Sequence, residues 1–364
     1  MGLRARLRQF PPIAWRDERL TQLRQSEKSL QRQLDESTQR VSTLAAQLEK
    51  VTQERDQVRR QQREGKYSPV HPSWHVRIME QARVGRYTAP RDPERDMPRR
   101  RLLAKLHNYE LARSYGIATP RVIGSWPRIE DVPWAELPDT FVVKSNRGYS
   151  GNGVLPLRRH GDGFRFIDSA DEIDPEGIVR HYEKTKGLAG PYFVEEVLPG
   201  TGAVLPDDVK IYAFHGEVVF AMLRRVTKHA DLGSFSYRFL DPAGQDLGQL
   251  QEVHRHDPDI AVPRDLAQMV EAARVLSLAM PVPFVRVDLY QVPEGIMLGE
   301  LTPLPGSSAG FTREYDRLLG GLYDEAEGRL NLEFARGRPY AVAFGPHDRD
   351  VTAPMAATSS LPHT

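Results

Sequence analysis

The sequence predicts an α+β fold built on antiparallel sheets and preceded by one long coiled-coil helix. Three observations predict it: a heptad repeat over residues 20–58, apolar β-rich runs separated by turn clusters from Thr140 onward, and strands and helices that mix without strict β-α-β alternation. A chain of 364 residues, 40% of them hydrophobic, suffices for two or three units with a buried core.

The heptads come first in the chain. With Leu20 at a, the a positions are Leu20, Glu27, Leu34, Val41, Leu48 and Arg55, and the d positions are Leu23, Leu30, Ser37, Leu44, Val51 and Val58. Nine of the twelve are apolar and neither Gly nor Pro interrupts them, so the pattern sustains a left-handed coiled coil. A lone helix cannot bury such a stripe; a homodimer is the expected pairing, with a helix folded against its own body as the other reading. The flanking e and g positions, among them Ser26, Gln31, Gln33, Thr38, Arg40, Ala45, Gln47 and Thr52, encode partner choice weakly. The expected organisation is an N-terminal segment (1–16), a coiled coil (17–64), a basic Pro/Arg-rich linker (65–101) with at most a short helix near 74–84, a folded body (102–340) and a tail (341–364) without structure from about Thr352.

Within the body, helices are expected over Leu102–Tyr115 (ended by Gly116), Ile178–Lys186, Arg264–Leu278 and Arg313–Leu330. Strands are expected over Thr140–Lys144, Tyr192–Leu198, Val209–Phe214, Val218–Leu223, Pro283–Tyr290 and Ile296–Leu301.

Composition excludes several chemistries. With no cysteine there are no disulfides, cysteine-ligated zinc, iron–sulfur clusters or thiol catalysis. No apolar run reaches transmembrane length and the N-terminus is not a signal peptide, so a cytoplasmic protein is expected. The net charge of +1 hides an asymmetry. Residues 1–101 carry 23 Lys+Arg against 13 Asp+Glu, a net of +10, and the remainder carries 27 against 36, a net of −9. A polyanion partner and a merely solvated basic helix both fit; no nucleic-acid motif is present, so no nucleic-acid partner is predicted.

Two segments carry chemistry. In FVVKSNRGYSGNGV (141–154) a β-run ends at Lys144 and Gly148, Gly151 and Gly153 follow. Glycines let backbone N–H groups approach an anion and lysine supplies a charge, which suits phosphate; an ordinary β-turn would look similar. In FVRVDLYQVPEGIMLGELT (284–302) Arg286 and Asp288 share a strand face, and the return strand brings Glu300 back. Pairing Tyr290 with Ile296 sets Arg286 opposite Glu300; a shift of two sets Asp288 opposite it. Either register keeps all three on one face, and a slip of one residue would not. Two carboxylates beside an arginine need compensation, which a divalent cation and a polyphosphate provide; a surface salt bridge is the plainer alternative.

Together with YFVEEVLPG and DDVKIYAFHGEVV, these segments resemble the ATP-grasp superfamily, specifically its TupA-like branch associated with teichuronopeptide synthesis, over residues about 102–330. The resemblance implies two α+β subdomains gripping ATP, with a lid over about 140–198. It implies that Lys144 and Lys105 meet ATP phosphates, that the loop from Gly148 to Gly153 closes over them, and that Glu195, Glu196, Val197 and Leu198 run along adenine. It further assigns Asp208 to the cofactor, Lys210 to phosphate or substrate, Arg286 to the γ-phosphate, and Asp288 and Glu300 to Mg²⁺. Many members carry Asn two residues after the metal-binding Glu; here that residue is Thr302. The implied function is an ATP-dependent carboxylate–amine ligase working through an acyl phosphate, on small or polymer-linked substrates of a cell-surface polymer or natural product. A phosphotransferase on the same fold, or a coiled-coil adaptor with a regulatory nucleotide site, are the alternatives.

Lesser candidates are a metal site at His254, His256, Asp257 and Asp259, a substrate-lining group of Arg224, Arg225 and Lys228, and a carboxylate contact at Tyr237 and Arg238. Ser307 and Ser308 have no base nearby in sequence, so no nucleophilic serine is expected; their turn is expected to shape the acceptor pocket.

Overall fold

A computed structural model describes residues 11–66, 71–87, 98–148, 151, 153–200, 208–226, 235–252, 254–306 and 308–359. The chain divides into two units, Met1–Ser68 and Pro69–Thr364. The first is a single helix, α1 (Pro11–Lys66). Its heptad seam is uncovered: Leu20, Leu23, Leu30, Leu34, Val41, Leu44 and Leu48 are 44 to 69% exposed.

The second unit contains two six-stranded sheets among the described residues. The first is assembled from β1 (Val122–Trp126), β2 (Thr140–Arg147), β3 (Val154–His160), β4 (Gly163–Phe166), β5 (Glu172–Ile173) and β6 (Ala189–Glu195), in the order β1-β6-β2-β3-β4-β5 and antiparallel throughout. The second contains β7 (Asp208–Phe214), β8 (Glu217–Val226), β9 (Phe235–Leu240), β10 (Arg255–His256), β11 (Val285–Val292) and β12 (Gly295–Thr302), ordered β10-β9-β8-β7-β11-β12. Only the short β10 runs parallel to its neighbour there.

Five helices of the body carry the packing: α2 (Trp74–Tyr87), α3 (Lys105–Ser114), α4 (Pro175–Lys184), α5 (Leu266–Ala279) and α6 (Arg313–Ala335). Their ends follow local chemistry. Asp174 caps α4 by accepting from the Gly177 N–H, and Pro175 occupies the first helical position, where its missing N–H costs nothing. Thr312 caps α6 through the Tyr315 N–H. After α3 the Gly116 N–H donates to the Arg113 carbonyl, so the expected stop at Gly116 is observed.

Strand alternation divides the second sheet into two chemically distinct faces. Val209, Ile211, Ala213, Ala221, Leu223, Val285, Val287 and Leu289 pack with α5 into the largest core. On the opposite face the aromatic group Trp74, Tyr212, Phe214, Phe220, Phe284 and Phe311 packs with α2 and α6, and the polar residues of the site continue the same face. The first sheet has its own core, in which Ile178 and Tyr182 of α4 meet Phe141, Val143, Leu157, Phe164 and Val194.

Two segments differ from expectation. Residues 65–101 were expected to be linker with at most a short helix near 74–84; the helix is there as α2, but it belongs to the body: Trp74 is fully buried, with its ring centroid 4.5 Å from that of Phe284. Pro and Arg flank an apolar anchor whose partners lie more than 130 residues away, so its local context gives no sign of burial. The described part of the tail beyond Thr352, to residue 359, is also packed. The Val122 N–H donates to the Val351 carbonyl, the Arg113 guanidinium to the Ala353 carbonyl (2.9 Å), and Thr358 bridges to Ile296 and is 5% exposed. Its order comes from these long-range bonds together with Val351, Met355 and Ala357, which pack against the apolar clusters of the body. The strands β1, β3, β4, β5, β9 and β10 were not anticipated as separate elements.

Candidate active site

The polar face of the second sheet is a ladder of aligned side chains. One rung runs Met222–Lys210–Asp288–Glu300 across β8, β7, β11 and β12. The rung on one side pairs Tyr212 with Arg286 and Arg286 with Thr302; that on the other side pairs Asp208 with Tyr290. Of the two registers weighed from sequence, the structure adopts Asp288 opposite Glu300. It reaches it through a bulge at Gly299, because nearer the turn the pairs are Leu289–Leu298 and Tyr290–Met297.

Charge on this face is dense and buried. The Arg286 guanidinium forks onto Asp288, with Nε donating to Oδ1 at 2.6 Å and Nη2 to Oδ2 at 2.7 Å, and Nη2 also reaches Thr302 Oγ1 at 3.3 Å. Lys210 Nζ donates to Asp288 Oδ2 at 2.7 Å and to Asp208. Burial works against the Asp288 carboxylate, yet Arg286 and Lys210 hold its pKa below the ordinary value. Burial likewise opposes the Lys210 ammonium, and Asp208 and Asp288 outweigh it, leaving its pKa raised. Asp208 Oδ1 is buried with no hydrogen-bond partner among the described residues.

Helix α3 joins this ladder to the first sheet. Lys105 Nζ donates to Glu300 Oε1 (3.3 Å) and to the Gly148 carbonyl (3.4 Å). One turn on, the Tyr109 hydroxyl donates to Glu195 Oε2 at 2.8 Å and accepts from Lys144 Nζ at 3.0 Å, while Lys144 and Glu195 form an ion pair at 2.5 Å. Lys105, Tyr109, Lys144 and Glu195 are each no more than 6% exposed. Tyr290 lies among the acids: burial first, then the charges of Asp208, Glu195, Asp288 and Glu300, push its phenol well above the usual pKa.

At the glycine loop, a Cβ on Gly148 or Gly153 would lie 2.9 Å from Leu188 Cδ2, so a side chain at either position would have to displace the end of Leu188. Gly151 has φ +76°, in the left-handed region that glycine favours. Tyr149, Ser150 and Asn152 of this loop lie outside the described residues, as do Lys228 and Ser307.

Lys105, Lys144, Glu195, Asp208, Lys210, Arg286, Asp288 and Glu300 therefore converge, with Gly148 touching Lys105. Glu196 does not join them; it accepts from the Arg121 N–H at 2.8 Å. Val197 is half-buried, and Leu198 packs with Ala118, Val292 and Met297, against which Tyr290 also lies. The suggested metal site at residues 254–259 is absent: His256 binds Asp246 (3.0 Å), Asp257 accepts from Ser236 (3.0 Å), and the His254 ring lies 4.3 Å from that of Tyr237. Arg238 is likewise committed, to Asp246 and the Ile260 carbonyl. Arg224 approaches Asp208 at 3.8 Å. Three features escaped the sequence: Tyr109, Tyr290, and a base for Ser308, whose Oγ lies 3.0 Å from His75 Nδ1 of α2. Asp316 binds the His75 backbone N–H rather than its ring, so these three form no Ser-His-Asp relay.

Two sheets and helix α3 that bring four cations and a facing pair of carboxylates into one cluster define a nucleotide-dependent enzyme of the ATP-grasp class. The model of the TupA-like ATP-grasp family matches residues 89–324, well over half of the sequence, and the chain belongs to that family. It is thus an ATP-dependent ligase with ATP and Mg²⁺ as its cofactors. No protein of curated function matches the sequence. Among solved structures it is similar to D-alanine–D-alanine ligase from Bacillus anthracis, at 19% identity over 64% of this chain and 69% of that one, with a TM-score of 0.42. It is also similar to the D-cycloserine synthetase DcsG (18% identity, 62% and 71% covered, TM-score 0.38). A third is the ATP-grasp ligase PsnB, solved with a phosphomimetic variant of its minimal precursor, Mg and ADP (17%, 64% and 60%, 0.36).

The residues fit both cofactors. Mg²⁺ takes one or two carboxylates and completes its octahedron with phosphate oxygens and water, which Asp288 and Glu300 on one rung permit. Among the described residues no cluster of three or more His, Asp or Glu could hold a metal by itself, so a shared protein–phosphate site is the fitting kind.

Proposed function

We propose that the chain joins a carboxylate to an amine, forming an amide or peptide bond through an acyl phosphate, with small or polymer-linked substrates. The observation that carries this reading is that every cation of the site is held by a carboxylate of the site: Lys144 by Glu195, Lys105 by Glu300, and Lys210 and Arg286 by Asp288. Asp288 and Glu300 would hold the metal, and Lys144, Lys105, Lys210 and Arg286 would exchange these carboxylates for phosphate oxygens. When bound, Mg²⁺ would supply charge neutralisation across the phosphates. Lys144 and Lys105 orient the phosphate chain, Lys210 and Arg286 offset charge developing at the transferring group, and Asp208 Oδ1 offers an acceptor to a nucleotide hydroxyl. The γ-phosphoryl group passes to a substrate carboxylate oxygen with departure of ADP; the amine then attacks the acyl carbon, loses a proton and expels phosphate. The glycine loop shields the acyl phosphate from water.

The exposed seam of α1 supports self-pairing, and consumption of ATP suits the cytoplasm; no helix among the described residues is long and apolar enough to cross a membrane. The deciding experiment screens carboxylate and amine pairs for ADP release and weighs the products. Ligation requires both partners and yields their combined mass less one water. Amine-independent ADP release with a phosphorylated product would make the enzyme a phosphotransferase, and failure to bind Mg·ATP would leave only an adaptor.

A further inference from the structure

Lys144 does not stand in the site unaided. Its ammonium is gripped by Glu195 Oε1 and by the Tyr109 hydroxyl, and the same hydroxyl donates to Glu195 Oε2. All three residues are buried. The phenol thus closes a three-membered ring of hydrogen bonds in which both oxygens of Glu195 are engaged and, among the described residues, one ammonium hydrogen of Lys144 remains for an anion. Tyr109 also lies one helical turn beyond Lys105, which holds Glu300 and the Gly148 carbonyl. A single face of α3 therefore reaches both halves of the site, Lys105 toward Glu300 and Tyr109 toward Lys144 and Glu195. The ring of Tyr109 is itself wedged edge-on against Phe193 of β6, with centroids 6.2 Å apart, so its hydroxyl has little freedom to wander.

We infer that Tyr109 is a positioning residue for nucleotide binding: its hydroxyl holds the Lys144–Glu195 pair so that Lys144 points its remaining N–H at phosphate. Burial, and then the charge of Glu195, raise the phenol pKa well above its usual value, so the group stays a neutral donor at working pH. This inference rests on the reading of Lys144 as a phosphate ligand.

Calorimetric titration of the full-length protein with Mg·ADP tests it, comparing wild type, Tyr109→Phe, Lys144→Gln and the double variant, with thermal melts of each without nucleotide. Phe keeps the ring and removes only the hydroxyl. Tyr109→Phe is expected to weaken Mg·ADP binding about tenfold, the scale of one lost hydrogen bond to charged groups, with a melt within a few degrees of wild type. In the Lys144→Gln background the same change is expected to weaken binding less than twofold. Equal weakening in both backgrounds, or a melt that falls in step with affinity, would reduce Tyr109 to packing and overturn the inference. Should Lys144→Gln not fold, the comparison of affinity with melt for Tyr109→Phe decides alone. A wild type that does not bind Mg·ADP would instead strike the nucleotide reading itself, so the two failures are separable.

Discussion

Asp288 and Glu300 face each other across one rung of the β11–β12 hairpin only because Gly299 is an extra residue in β12. From the turn, pairs advance as Val292–Gly295 through Leu289–Leu298; continued unbroken, Asp288 would meet Gly299 and Glu300 would turn to the apolar face. The bulge restores Glu300 to the polar side. It also brings Tyr290 so close that a Cβ on residue 299 would lie 2.6 Å from its Cε2.

Gly299→Ala is therefore expected to displace Tyr290 or the bulge. Overpacking of this kind costs about 1–3 kcal/mol, and ADP release should fall at least about tenfold because the carboxylate pair loses its alignment. A melt and an ADP-release assay measure both. Unchanged turnover would show that the pairing tolerates a different register.

Asp288→Asn removes the charge that satisfies both Arg286 and Lys210. It leaves the buried Arg286 without a carboxylate and Lys210 with Asp208 alone; breaking such a buried pair costs about 3–5 kcal/mol, and ADP formation should be lost. The cost has a pH signature. The folded-state pKa of Asp288 is depressed by its two cations, so its stabilisation is complete above the unfolded value of about 4 and is lost as pH falls through the folded value. The stability gap between wild type and variant, from urea unfolding, should thus be widest near neutrality and narrow below about pH 4. A gap constant down to pH 2 would mean the charge of Asp288 contributes nothing. Glu300→Gln should abolish ADP formation with a smaller loss of stability, since its side chain is about one-third exposed.

Much of this site was legible in two short segments, for a physical reason. Phosphate and metal chemistry need charges at fixed spacing on strands, and a period of two places Arg286 with Asp288 without any tertiary knowledge, whereas Asp208, Lys210, Lys105 and Glu195 came only from the family resemblance. Tyr109 was missed although its signal was present: it stands four residues after Lys105 in a segment expected to be helical, and such pairs share a face. Trp74 and the His75–Ser308 contact could not be seen, because a hydrogen bond across 233 residues leaves no local period. The bulge at Gly299 was hidden for a related reason, since either unbroken register satisfied the apolar pattern equally well.

The tail offers a further measurement. Thr358 Oγ1 accepts from the Ala118 N–H at 2.7 Å, and Ala118 is fully buried beside Leu198 and Met297. Thr358→Val preserves shape and strands that N–H, at a cost of about 1–3 kcal/mol. A lower urea midpoint at unchanged slope is the expected result. No change in midpoint would mean that residues 351–359 contribute nothing to the stability of the body.

The helix α1 makes a claim about assembly. Its seam residues from Leu20 to Leu48 are 44% exposed or more in the single chain, and an apolar stripe repeating every 3.5 residues is stable in water only when a second helix covers it. Replacing Leu30 and Leu44, two d positions a fortnight of residues apart, by Lys places like charges at facing seam positions if the partner is a parallel copy in register. Light scattering should then give the monomer mass for the double variant and twice that mass for wild type. Removing residues 1–64 should give the mass of one shortened chain, while Mg·ADP still binds, because every converging residue of the site lies beyond Leu102. If wild type is already monomeric, the seam does not pair with itself. If the double variant stays dimeric, the dimer is held elsewhere in the chain.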